Sequence, residues 1–176
     1  MSLLKTVKVN EAEGRVKEMY DEIEAVWGRV PNGMQLWSAN LEAFEMHWSA
    51  IKRTMSKSDE EKKFYTMIRF LISTENSCEY CMGMNGAMLV NFFGLSEDEL
   101  FAMKQDISKA PIDKKRQALL LLAVKSIEDA DAVNKEDIEM LKTMGIEESE
   151  MFDAVRYAGY MSLVNTLFRT FKVEED

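Results

Sequence analysis

Ser58-Asp59-Glu60-Glu61 puts a serine at a helix N-cap with a glutamate three residues on, and Phe64, Met67, Ile68, Leu71 and Ile72 then fall on one stripe at i, i+3, i+4, i+7 and i+8. The pattern of capping residue followed by helical-period stripe recurs along the chain, and it constrains the fold more than any other feature. Ser96-Glu97-Asp98-Glu99 is a second capping box, and Asn134 opens a short helix that stops at Gly145. Only two prolines and eight glycines interrupt 176 residues rich in helix formers. The reading is an all-α single domain over residues 1–176, long enough to bury a core without disulfide staples.

The remaining helices follow from the same signals. Asn10 is read as the N-cap of a first helix carrying Val16, Met19, Tyr20, Ile23 and Val26-Trp27 to Gly28. Val30-Pro31-Asn32-Gly33 is read as a turn before a short helical piece ending at Leu36-Trp37, and Leu41–Met55 as a further helix. Asn76 or Ser77 offers an N-cap for a helix that runs to Phe93 ahead of Gly94. The block Ala118–Val124 suggests a central helix buried on most of its circumference. Glu147–Phe171 reads as a long terminal helix with Met151, Val155, Ala158, Met161, Val164, Phe168 and Phe171 on one stripe.

A net charge of −9 argues against nucleic acid and acidic lipid surfaces as partners, because such binding depends on Lys and Arg neutralising phosphates. No segment approaches the length of apolar residues a membrane span needs, and Met1–Lys8 lacks the apolar run of a secretory signal, so a cytoplasmic setting is expected. The cytosol keeps ordinary thiols reduced, so Cys78 and Cys81, spaced C-x-x-C, point to redox or metal chemistry rather than to a structural bridge. A single histidine makes a zinc site implausible, and the fourteen methionines are better read as core fillers than as Cu(I) ligands, so neither metal nor cofactor is expected. That one imidazole, His47, is read as a surface or partly buried helix residue outside any triad.

Residues three apart share a helix face, so the two thiols can close a disulfide in place. A position near the helix N-terminus favours thiolate over thiol at Cys78, and thiolate is the species that attacks peroxides and disulfides. Asn85 lies on the same face, four residues after Cys81, where it can donate a hydrogen bond but cannot carry a proton. On the preceding helix, Lys62, Thr66, Arg69 and Ser73 form a polar stripe. It is read as a solvated face, with a thiolate-stabilising Arg69 as the alternative.

The run Asn76-Ser77-Cys78-Glu79-Tyr80-Cys81, placed between a long helix and a small-residue helix, resembles the carboxymuconolactone decarboxylase and AhpD-like family, in particular its peroxidase-related C-x-Y-C branch. Val30-Pro31, Trp37-Ser38-Ala39-Asn40 and Asn165-Thr166-Leu167-Phe168-Arg169 extend the resemblance over most of the chain. It implies an AhpD-like helical bundle, assembly into trimers or hexamers, and a dithiol in which Cys81 attacks and Cys78 resolves. The dipole argument alone favours Cys78, and the order stays open.

The resemblance also implies a proton relay, a histidine four residues after the second cysteine and a glutamate about twelve before the first. Here those positions hold Asn85 and Thr66, neither able to act as a base near pH 7, with Glu79 and Arg69 as the nearby groups that could compensate in part. The leading functional reading is a thiol–disulfide oxidoreductase or alkylhydroperoxidase-related protein working on a disulfide or peroxide. Its rival is a non-catalytic oligomeric binding or structural protein on the same scaffold. Decarboxylation or another lactone reaction is the weaker third, since it has no use for the dithiol.

Overall fold

A computed structural model describes residues 2–176, and its regular elements are all helical among those residues. They are α1 (Gly14–Trp27), α2 (Asn32–Trp37), α3 (Leu41–Met55), α4 (Asp59–Glu75), α5 (Glu79–Asn91), α6 (Glu97–Gln105), α7 (Lys114–Glu128), α8 (Lys135–Thr143) and α9 (Glu148–Thr170), with three single 3-10 turns. The chain forms two compact units, one running through Lys57 and taking in Leu167–Asp176, the other Ser58–Thr166. No described helix is long and apolar enough to cross a membrane.

Helix starts are where the cap chemistry puts them. Ser58, Ser96 and Asn134 each accept from the backbone N–H three residues on, and Glu61, Glu99 and Asp137 return the bond, closing three capping boxes. Asn10 departs from the reading: it lies in a 3-10 turn, Val9–Glu11, and α1 begins only at Gly14. Asn32-Gly33 is helical rather than a turn, because Pro31 supplies an extended N-cap residue and α2 starts directly behind it.

In the first unit Tyr20 and Phe44 pack at 5.8 Å between ring centroids, and the Tyr20 hydroxyl donates to the Val7 carbonyl. The Trp48 indole N–H donates to Glu22 at 2.7 Å. His47 is buried and stacks on Trp37 at 4.0 Å, so it is a core residue rather than a surface one.

In the second unit α4 is the central helix. Phe64 through Ile68 and Phe70 through Ser73 are all buried, and α7 is buried on most of its circumference as read, with Leu119, Leu120, Leu122, Ala123 and Val124 inside and Leu121 exposed. α4 and α5 run antiparallel, since the contact between them moves from Ser73 beside Cys81 to Arg69 beside Asn85 and on to Met88. Gly86 helps the helices approach. A β-carbon there would already touch Phe70 and Leu100 at 3.4 Å.

The turn between α4 and α5 sets the position of the cysteines. Ser77 adopts a left-handed φ of 51°, its N–H donates to the Thr74 carbonyl at 3.0 Å, and the Cys78 N–H donates to the Ser73 carbonyl at 2.9 Å. These two bonds form a Schellman motif, built with serine at the position glycine usually holds. Cys78, the last residue of that motif, is itself the N-cap of α5, in place of the expected Asn76 or Ser77. α5 ends at Asn91, short of Phe93, and Gly94 takes a left-handed φ of 70° beyond it.

Candidate active site

Both cysteines are reduced and buried, Cys78 at 2% and Cys81 at 0% exposure. Cys78 sits at the N-cap of α5 and Cys81 at its third residue, one turn apart, and the two thiols interact directly. The Cys78 side chain does not cap the helix amides, so the N-terminal position acts on it through the dipole and not through a capping bond.

Cys81 is held in its protonated form. Its pKa is pushed well above the ordinary thiol range, first by the hydrogen bond with Cys78 and then by burial, while Asn165 and Ser73 act in the opposite direction. Two adjacent buried thiols titrate as a pair, so the first proton to leave makes the second harder to remove.

Around Cys81 lies a buried polar cluster that the reading of the sequence did not assemble. Asn165 of α9 is fully buried. Its amide N–H donates to Ser73 Oγ at 3.1 Å, and its carbonyl accepts from Asn76 Nδ2 at 3.1 Å. Asn76 also donates to Ser162 Oγ at 2.8 Å, and Ser73 Oγ donates to the Arg69 carbonyl at 2.6 Å. Ser73 thus fixes the dithiol twice, holding the Cys78 N–H with its carbonyl and facing the Cys81 thiol with its hydroxyl. The sequence carried one signal for this: Asn165 stands four residues after Met161 and seven after Ala158, an amide on an otherwise apolar stripe.

The polar stripe of α4 is not a solvated face. Thr66 and Ser73 are buried and Arg69 is half-buried, turned toward α5 and α9. Arg69 Nε donates to Asn85 Oδ1 at 2.8 Å, Nη2 to Thr66 Oγ1 at 2.8 Å and Nη1 to the Tyr157 hydroxyl at 3.3 Å. Asn85, fully buried, donates in turn to the Cys81 carbonyl at 2.8 Å. Thr66 and Asn85, the two positions where the resemblance implies a glutamate and a histidine, are therefore joined through a guanidinium. An arginine stays charged at any working pH and does not shuttle protons. Of the other residues singled out from sequence, Tyr80 is buried beside the cysteines in the chain, and Glu79 is exposed in the first turn of α5.

On its other side α5 borders an open groove of about 490 Å³, whose lining includes Met82, Val90, Leu100 and Phe101. Phe101 is 66% exposed there, and nearby in the chain Phe92 is 79% exposed.

No family model and no curated protein matches the sequence. Solved structures do match the fold. One is an uncharacterised peroxidase-related protein with an alkylhydroperoxidase AhpD core from Ralstonia eutropha, with a TM-score of 0.85 and 20% identity over 99% of this chain and 92% of that one. A second uncharacterised peroxidase-related protein, from Silicibacter sp., gives a TM-score of 0.83 at 19% identity, covering 99% and 92%. A protein of unknown function from Agrobacterium tumefaciens, a candidate AhpD antioxidant-defence protein, gives a TM-score of 0.64 at 20% identity, covering 80% and 94%. The chain is thus an all-α protein with the AhpD-like fold.

Proposed function

We propose that the chain is a thiol–disulfide oxidoreductase or alkylhydroperoxidase-related protein whose working group is the Cys78–Cys81 dithiol. The observation that carries this reading is the pair of reduced, directly interacting thiols, one helical turn apart at the start of α5. Cys78 is the attacking residue in this proposal, since it stands at the N-cap of α5, where the helix dipole favours thiolate. The Cys78 thiolate attacks one sulfur of a disulfide, and the departing thiolate takes up a proton. Cys81 then gives up its own proton and displaces the second thiol, leaving a Cys78–Cys81 bridge. With a hydroperoxide the first step yields an alcohol and a sulfenic acid at Cys78, and Cys81 expels that oxygen as water. Either route moves two electrons and two protons from the dithiol to the oxidant.

The 176 residues act as one AhpD-like domain in this proposal, in a cytoplasmic homo-oligomer. The exposed Phe92, Phe101 and Phe152 support the assembly, because apolar surface of that kind is commonly covered by a partner. One observation favours the rival reading, a non-catalytic oligomeric scaffold: an arginine–amide network, Arg69 bonded to Asn85 and Thr66, occupies the relay positions.

Turnover separates the two readings. Reduced protein is mixed with cumene hydroperoxide or hydroxyethyl disulfide and dithiothreitol, and oxidant consumption is followed. The oxidoreductase reading expects consumption that Cys78→Ser and Cys81→Ser both abolish. Consumption no faster than dithiothreitol alone leaves the scaffold.

A further inference from the structure

We propose that Arg69 is the anchor for a carboxylate on the oxidising substrate, so that the dithiol prefers anionic disulfides and hydroperoxides. This deepens the oxidoreductase reading and rests on it for the substrate, though not for the anion site.

The chain carries 31 acidic residues against 22 basic ones, and yet, among the described residues, no carboxylate lies within ion-pair distance of the Arg69 guanidinium. Its partners are instead neutral: Asn85, Thr66, Tyr157 and the Met88 sulfur at 3.8 Å. A half-buried cation without a counter-ion is expensive to keep, and the expense is recovered when an anion arrives. The neutral acceptors also hold the guanidinium plane in one orientation, which reduces the ordering cost of binding.

One edge of the fork is only weakly engaged. Nε is committed to Asn85, and Nη2 to Thr66 and Met88, whereas Nη1 makes only the longest of the oxygen contacts, 3.3 Å to the Tyr157 hydroxyl. An incoming carboxylate can accept from Nη1 and from the Tyr157 O–H together. The Tyr157 ring packs on Tyr65 at 4.5 Å, giving the site an aromatic wall.

The anchor is also tied to the turn of α5 that carries Cys81. Asn85 bonds Arg69 with one end of its amide and the Cys81 carbonyl with the other, so the guanidinium stands within roughly 8 Å of the Cys81 backbone, two hydrogen bonds and one amide width away. A short carboxylate-bearing disulfide spans that distance. The reaction is the balanced exchange given above: two electrons pass from the dithiol to the disulfide, and two carboxylate-bearing thiols leave.

The test uses three disulfides of similar size, dithiodipropionate (anionic), hydroxyethyl disulfide (neutral) and cystamine (cationic), reacted with the reduced full-length protein. The rate is read from loss of alkylatable thiol. The net charge of −9 alone favours cystamine. The inference expects dithiodipropionate to outpace hydroxyethyl disulfide about tenfold, with the advantage removed by Arg69→Gln and reduced by Tyr157→Phe. A merely structural Arg69 slows all three reagents alike.

A second arm measures dithiodipropionate binding to Cys78→Ser by calorimetry, with and without Arg69→Gln, and does not depend on turnover. Binding that Arg69→Gln weakens about tenfold or more upholds the anion site even if no disulfide oxidises the wild type, in which case the oxidoreductase reading alone fails. No binding, or wild-type rates that ignore the anionic charge, overturns the inference.

Discussion

Replacing Asn165 by alanine removes the side chain that ties α9 to the dithiol, and the cost can be worked from its bonds. Asn165 donates to Ser73 Oγ and accepts from Asn76 Nδ2, both at 3.1 Å, from a fully buried position. Each such bond contributes about 1 kcal/mol net. Neither partner is stranded by the change, because the Ser73 hydroxyl still donates to the Arg69 carbonyl and Asn76 still donates to Ser162. The full penalty for an unsatisfied buried group therefore does not apply. The space left by the amide adds roughly 1 kcal/mol, for a total of about 2–4 kcal/mol. Urea unfolding under reducing conditions measures it as a lower midpoint at unchanged slope. Combining Asn165→Ala with Ser73→Ala in a double-mutant cycle should give a coupling of about 1 kcal/mol. Because Asn165 acts to lower the Cys81 pKa, its loss should also slow closure of the bridge at mildly alkaline pH. A destabilisation below about 0.5 kcal/mol, or additive singles, refutes the assignment of Asn165 to this cluster.

Three further outcomes follow from the same geometry. Ser77→Gly, at a left-handed φ of 51°, should raise stability by about 0.5–1 kcal/mol in urea melts, since glycine carries no steric penalty there. The raised Cys81 pKa means the folded state keeps a proton that the unfolded thiol releases, so stability is unaffected below about pH 8.5 and falls above it, by up to about 1.4 kcal/mol per pH unit, as urea midpoints taken across that range will show. Cys81→Ala should remove that slope between about pH 9 and 10, below the range of Tyr160, whose pKa burial pushes up to about 12. Phe101→Glu, on the exposed rim of the α5 groove, should lower the mass of the proposed homo-oligomer in light scattering while the far-ultraviolet helix signal is retained.

Much of this architecture was legible in the residues because its signals are local. Ser58, Ser96 and Asn134 with an acidic residue three positions on specify their own helix starts, and all three boxes form. Asn10, with Glu13 three positions on, carried the same local signal, yet the chain takes a 3-10 turn there and Glu13 itself becomes the N-cap of α1. The cysteines were legible by spacing; their seat was not. A Schellman motif with serine in the left-handed position has no sequence mark comparable to glycine, so Cys78 was not visible as an N-cap. The stripe Thr66-Arg69-Ser73 looked like a water-facing surface because periodicity reports polarity, and here the facing residues Asn85 and Asn165 are polar too. Ser73 and Asn165 are 92 residues apart in the chain, and such a pairing is a property of tertiary packing.

The most direct test of the account is a glutathione redox titration of the purified protein, with the Cys78–Cys81 bridge counted by alkylation and mass. The account predicts a reversible two-electron transition to a single intramolecular disulfide, absent in Cys78→Ser and Cys81→Ser. Two thiols that remain alkylatable only on unfolding, and never close a bridge at any oxidised glutathione ratio, contradict it and leave an AhpD-like scaffold without its chemistry.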